Sequence, residues 1–267
     1  MEKFSIFRLR TWVKVGLVVV LVGIIIGFAE NWYSSQRCKE VLIKIDETSV
    51  PLLTRQDVNN ILTESGRKPL KGHLFRNMDL DYLESRVESN PLIDHCQISR
   101  NLRGSLLVEV QMHRPIARLV QAGLPDNGMD RYLNEKGRFM PLSERYTSRV
   151  VLLSGSYFEQ KKSLRAPADT ALLHLVQQID QDSLWRAQID WIEVDKNANV
   201  TLWPQVGNLP VEFGKATNRN VKFEKLRLFF KQILPLRGWN TFSKVSVQYR
   251  NQIVCTKSDS TTLVVIK

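Results

Sequence analysis

Four histidines (His73, His95, His113 and His174) and three cysteines (Cys38, Cys96 and Cys255) are the side chains best suited to bind a metal or act as nucleophiles. Metal sites place ligands at short fixed spacings, so that two side chains from one element reach one ion. No H-x3-H, HExxH or CxxC spacing occurs. Three widely spaced cysteines make neither a disulfide framework nor a zinc site, and the expectation is free, largely buried thiols. There is no G-x-S-x-G elbow and no S-x-x-K pair to activate a serine. Phe213-Gly214-Lys215 and Glu135-Lys136-Gly137 are turns with a single glycine, too poor in glycine to cradle a phosphate. Asp79 and Asp81 are close enough for paired acid–base work, but they flank a helix start, where carboxylates complement the helix dipole. The residues therefore give no catalytic group, no metal ligands, no cofactor and no small-molecule substrate. The expectation is a protein that is not an enzyme.

What remains is binding, and charge narrows the partner. The net charge is +11 with a pI near 9.7. The Lys and Arg residues are scattered, with no run of five, and no RNP-like, zinc-finger or helix-turn-helix pattern appears. That favours a solvated basic surface beside an anionic bilayer over nucleic-acid binding.

The N-terminal region carries the strongest hydropathy signal. Val15 to Ala29 hold no charge, and with Trp12 and Val13 the apolar reach is roughly 27 Å, close to a hydrocarbon core of about 30 Å. Trp12 on one side and Trp32 with Tyr33 on the other fit the two interfaces. Lys3, Arg8, Arg10 and Lys14 precede the segment against only Glu2, which keeps the N-terminus in the cytoplasm and exports the rest. The expectation is one transmembrane helix over 15–33. Hydropathy alone leaves a cleaved signal peptide open, with Gly27-Phe28-Ala29 as its small-x-small site.

Beyond it, Val41–Ile45 alternates as a strand. Thr54-Arg55-Gln56-Asp57 forms a capping box ahead of a helix with Val58, Ile61 and Leu62 inward. Asp79 caps a second helix carrying Leu80, Leu83 and Val87, which stops before Asn90-Pro91. Ile93–Arg100 and Ser105–His113 then pair about Asn101–Gly104. The order is β-α-α-β-β, a three-stranded sheet with two helices on one face.

After Pro115 strands dominate, interrupted by one helix opened at Pro167 and another carrying Leu226, Phe229, Phe230 and Ile233. Phe242–Tyr249 and Gln252–Thr256 form a late hairpin about Arg250-Asn251. Thr261–Ile266 reads either as one more strand or as an apolar tail. A strand edge is the physical candidate for binding, because its unpaired N–H and C=O groups accept an incoming peptide. Thr241–Tyr249 has one apolar and one polar face, and its pattern fits an edge or an interior strand equally.

Several segments in order resemble the FtsQ/DivIB cell-division proteins. Asn90-Pro91-Leu92-Ile93 is similar to the family's N-P-W-[IV], and Arg114–Arg118 to its E-x-x-P-[IV]-A. Tyr132–Phe139 is similar to its D-x-x-G-x-x-F hairpin, and Leu152–Gly155 to its L-P-x-L-x-G. Val245–Tyr249 is similar to its V-D-L-R-Y, although Ser246 and Gln248 stand where the family has Asp and Arg.

The resemblance implies an α+β chain: a single transmembrane helix, a polypeptide-transport-associated (POTRA) β-α-α-β-β module, and a mostly antiparallel β domain with two helices. Its divisions are a cytoplasmic tail (1–14), the transmembrane helix (15–33), a linker (34–40), the POTRA domain (41–114), the β domain (115–257) and a C-terminal tail (258–267). It implies a non-enzymatic bitopic scaffold of the division machinery in the cell inner membrane at the septum. Retention of the helix follows, because such a scaffold stays beside its bitopic partners. Those partners are FtsB/FtsL-type bitopic proteins and other divisome membrane proteins, recruited through a C-terminal sheet edge. Val245, Val247, Gln248, Tyr249, Arg250, Asn251 and Ile253 are the implied partner-binding residues. The rival reading is a POTRA-type chaperone or docking module of an export or outer-membrane assembly machine.

Overall fold

The computed structural model describes residues 16–24, 36–46, 50–101, 103–120, 130–143, 145–238, 240–258 and 262–266. The chain divides into two compact units: Met1–Thr48 with Leu53–Met112, and Ser49–Leu52 with His113–Lys267.

The expected transmembrane helix is corrected. Residues 16–24 are helical (α1) and exposed. No helix among the described residues is long and apolar enough to cross a membrane. The rest of the 15–33 expectation lies outside the described residues.

The first unit runs β1 (Glu40–Ile45), α2 (Arg55–Leu62), α3 (Leu80–Glu88), β2 (Ile93–Arg100) and β3 (Ser105–Met112). Its sheet has the order β1-β3-β2, with β1 parallel and β2 antiparallel to β3. Local chemistry sets the helix starts. The Thr54 hydroxyl accepts from the Asp57 N–H at 3.2 Å, while the Asp57 carboxylate accepts from the Thr54 N–H at 2.8 Å. Such a cap is worth about 1 kcal/mol. Asp79 does the same for α3, accepting from the Tyr82 N–H at 3.0 Å. Val58 and Leu62 of α2 and Leu83 and Val87 of α3 are buried against Ile93, Cys96 and Ile98 of β2 and Leu106, Val108 and Val110 of β3.

The second unit carries β4 (Pro115–Leu119), β5 (Arg131–Asn134), β6 (Phe139–Pro141), β7 (Val151–Ser154), α4 (Thr170–Gln181), α5 (Ser183–Gln188), β8 (Ile189–Val194), β9 (Val200–Pro204), β10 (Val211–Gly214), α6 (Arg219–Leu228), α7 (Leu234–Arg237), β11 (Phe242–Ser246), β12 (Ile253–Lys257) and β13 (Leu263–Ile266). They form one ten-stranded sheet in the order β13-β12-β11-β10-β9-β8-β7-β4-β5-β6.

The expectation of two helices is corrected, and the mostly antiparallel pairing is found with parallel pairs inserted: among the described residues, six of the nine neighbouring pairs are antiparallel. The sheet is mixed: β4–β7, β7–β8 and β10–β11 are parallel, and four helices accompany it among the described residues. The cause is connectivity. A helix between two neighbouring strands returns the chain to the end where it started, so α4–α5 makes β7 and β8 parallel, and α6–α7 does the same for β10 and β11. Gly155, just after β7, has φ 112°, and a Cβ there would lie 2.1 Å from the Val194 carbonyl oxygen. Only glycine allows that approach of β7 to β8.

Aromatic rings fix α6 on the sheet. Phe223 of α6 lies 4.9 Å from Trp185 of α5 and 5.3 Å from Phe213 of β10, while Phe229 lies 5.9 Å from Phe242 of β11. Each pair adds about 1 kcal/mol beyond its burial. Between α6 and α7, Phe229–Ile233 form a wider π turn. That turn brings Phe229 and Leu234, five residues apart, both into the core.

Candidate functional site

The seven residues expected to bind a partner gather at one end of the large sheet, but they do not share one environment. Val245 is buried in β11, paired with Val211 of β10 on one side and Cys255 of β12 on the other. β11 is therefore an interior strand. Val247 is also buried, and its N–H continues the parallel ladder by donating to the Glu212 carbonyl at 3.0 Å. Ile253 is buried and opens β12. Gln248, Tyr249, Arg250 and Asn251 are exposed in the connection between the strands.

The edge itself belongs to β13, which pairs with β12 from Ile253↔Ile266 to Thr256↔Leu263 and has no strand beyond it among the described residues. Val264 and Ile266 pack on the core, whereas Leu263 and Val265 are 63% and 50% exposed. The Lys257 N–H donates to the Thr262 carbonyl at 3.2 Å. Antiparallel alternation then directs the backbone N–H and C=O groups of Leu263 and Val265 away from β12. These are the groups a further strand can take.

Two lysines of α6 hold this end of the sheet. Lys222 is buried, donates to the carbonyls of Phe213 at 2.8 Å and Lys215 at 2.6 Å, and sits 4.8 Å from the Phe213 ring centre. Lys225, one turn on, donates to the carbonyls of Val247 at 2.9 Å, Tyr249 at 2.6 Å and Gln252 at 3.5 Å. One ammonium thus ties down the connection between β11 and β12, and Tyr249 keeps its ring outside. Burial lowers the pKa of both lysines, and the neighbouring Lys225 charge adds to it at Lys222. Asn251 has φ 56°, a left-handed turn geometry that asparagine tolerates. Gly214, at φ 69°, leaves room for Gln248, whose Cβ would lie 3.0 Å from a Cβ added there.

Sequence reasoning missed Lys222, Lys225, Leu263 and Val265. The lysines look like a helix's solvated face, because nothing local reveals the carbonyls they meet. The alternation in Thr261–Ile266 was the available signal for the edge. The cysteines are buried and free. Burial first, then the Glu84 and Glu88 charges, push the Cys96 thiol up to about 12, and burial alone pushes Cys255 up to about 11. Among the described residues no cluster of His, Cys, Asp and Glu is arranged to hold a metal.

The family model "FtsQ/DivIB, C-terminal related" matches residues 114–256. The chain belongs to this family. No curated protein matches the chain. FtsQ/DivIB membership gives the protein a role in cell division, within a family of non-enzymatic division scaffolds that interact with other components of the division machinery at the septum. The matched stretch covers β4 through most of β12, the sheet on which β13 sits.

Proposed function

We propose that this protein is a non-enzymatic division scaffold that takes an extended segment of an FtsB/FtsL-type division protein onto the outer edge of β13. The observation carrying this reading is the end of the ten-stranded sheet: β13 turns the N–H and C=O groups of Leu263 and Val265 outward, beside two exposed apolar side chains. An added strand gains main-chain hydrogen bonds from those groups and apolar contact from the side chains. Gln248, Tyr249, Arg250 and Asn251 flank the added segment, since the β11–β12 connection lies where Ile266 pairs with Ile253. Val245, Val247 and Ile253 support that surface from the core side. The family match on this unit, with its division role, supports this reading over docking for an export machine.

The test is Val265→Pro. Proline removes an outward N–H and leaves the β12–β13 ladder intact, the one kind of strand position that tolerates it. Capture of the FtsB/FtsL-type partner, read by photo-crosslinking from position 263 in cells, is expected to fall at least tenfold with unchanged thermal stability. Full crosslinking with the variant folded removes β13 from the mechanism.

A further inference from the structure

The first unit's sheet also ends in an exposed-edge position, at β2, and there the edge is closed by side chains. β2 pairs with β3 on one side only. Its outward N–H groups at Cys96 and Ile98 donate to carboxylates of α3: Cys96 to Glu88 at 2.9 Å and Ile98 to Glu84 at 2.6 Å. The spacings match. Residues i and i+4 on a helix rise about 6 Å, and residues i and i+2 on a strand span nearly 7 Å. Two glutamates one helical turn apart therefore reach two successive outward N–H groups. Glu88 also meets His95 Nδ1 at 2.8 Å.

We infer that Glu84 and Glu88 are edge guards: they occupy the hydrogen-bond positions a second strand would use, and so keep β2 from pairing with β2 of a second copy of this chain. The second copy is the occupant because β2 is self-complementary. In an antiparallel β2–β2 pair centred on Gln97, the outward residues Cys96 and Ile98 face each other across the two-fold axis. In the same register Asp94 of each copy, which lies at the register irregularity between Ile93 and His95, comes nearest Arg100 of the other, and opposite charges across a strand pair attract. An edge of eight residues without proline is a hazard that natural sheets block with charge. Here the charges sit on the neighbouring helix, where they also satisfy the strand's donors. The inference concerns β2 alone and stands whether or not β13 takes a partner strand.

The experiment is the full chain carrying Glu84→Ala with Glu88→Ala, compared with the unsubstituted chain by sedimentation velocity and equilibrium. Self-association is expected to tighten at least tenfold. Adding Asp94→Arg is expected to abolish the gain by facing two arginines, and adding Arg100→Asp to that to restore it. Partner crosslinking from position 263 stays unchanged, which separates this result from any failure of the β13 reading. A folded double variant with unchanged self-association overturns the inference, and so does self-association indifferent to the charge at 94. Should the double variant not fold, Glu84→Ala alone is expected to speed amide exchange at Ile98 at least tenfold, and Glu88→Ala that at Cys96. Unchanged exchange at both amides overturns the inference equally.

Discussion

β2 and β13 are both terminal strands of their sheets, and the chain finishes them in opposite ways. β2 is the longer and buries Ile93, Cys96 and Ile98, yet its outward donors are taken by Glu88 and Glu84. β13 has four residues and two exposed aliphatic side chains, and its outward groups at Leu263 and Val265 face away from β12. The contrast teaches that a strand's readiness to add a neighbour is decided less by its own sequence than by the element beside it. A strongly strand-forming segment can be silenced by one helix with glutamates at the right turn. A weak one can be left open to an added strand.

Amide exchange gives the most direct way to break that comparison. The Cys96 and Ile98 amides, bonded to the Glu88 and Glu84 carboxylates of α3, are expected to exchange about a hundredfold or more slowly than those of Leu263 and Val265 in the unbound chain. Site-resolved hydrogen exchange measures this. Equal rates at the two edges mean that the two sheet edges are not treated differently.

Next in size is Lys225→Met, which keeps the aliphatic stem and removes the ammonium. Three carbonyls lose a charged donor in a half-buried position, so unfolding free energy is expected to drop by about 2 kcal/mol. Chemical denaturation checks it. The same substitution sharpens the comparison, because it loosens the connection beside β13 and leaves β2 untouched. Exchange is expected to rise at residues 247–252 and to stay constant at Cys96 and Ile98. A smaller effect follows from Leu263→Lys with Val265→Lys. Charge on the exposed face of an edge strand opposes strand addition, and partner capture is expected to fall about tenfold, or about 1.4 kcal/mol. Thermal unfolding should stay within about 0.5 kcal/mol of the parent chain, since neither side chain is in the core.

How much of this was legible in the sequence depends on how local the cause is. The Thr54–Asp57 box and the Asp79 cap are read from residues three apart, and the structure has both. The pairing of β11 with β12 is equally local, a hairpin about Arg250 and Asn251. The apolar run from Val15 promises a long helix; residues 16–24 of it are helical, and no helix among the described residues is long and apolar enough to cross a membrane. The mixed sheet was hidden because the parallel neighbours β10 and β11 are brought together by a helical crossover rather than by a turn. Lys222 and Lys225, and likewise Glu84 and Glu88, were invisible for one shared reason. Charged residues at helical spacing look solvated until the register of the adjoining strand is known, and only then do they acquire backbone partners.

The smallest expected effect lies in the thiols beneath the two edges, and it probes the guards without removing them. Cys96 lies in β2 and Cys255 in β12, the strand that carries β13, and both thiols are buried. Burial raises both, but only Cys96 also faces the Glu84 and Glu88 charges, which places it at about 12 against about 11 for Cys255. A thiol raised above its unfolded value of about 8.5 holds its proton more tightly in the folded chain. That contribution to stability is fully present below about pH 8.5 and is lost as pH rises from there through the folded values, the loss at Cys255 ending before that at Cys96. Alkylation followed by mass spectrometry between pH 8 and 11 is expected to modify Cys255 before Cys96. Glu84→Gln with Glu88→Gln keeps an oxygen acceptor for each strand N–H and removes the two charges. Labelling of Cys96 should then move toward lower pH while that of Cys255 stays put. If the two thiols respond alike to the glutamines, the carboxylates do not lie along β2 in solution, and the difference between the edges has another cause.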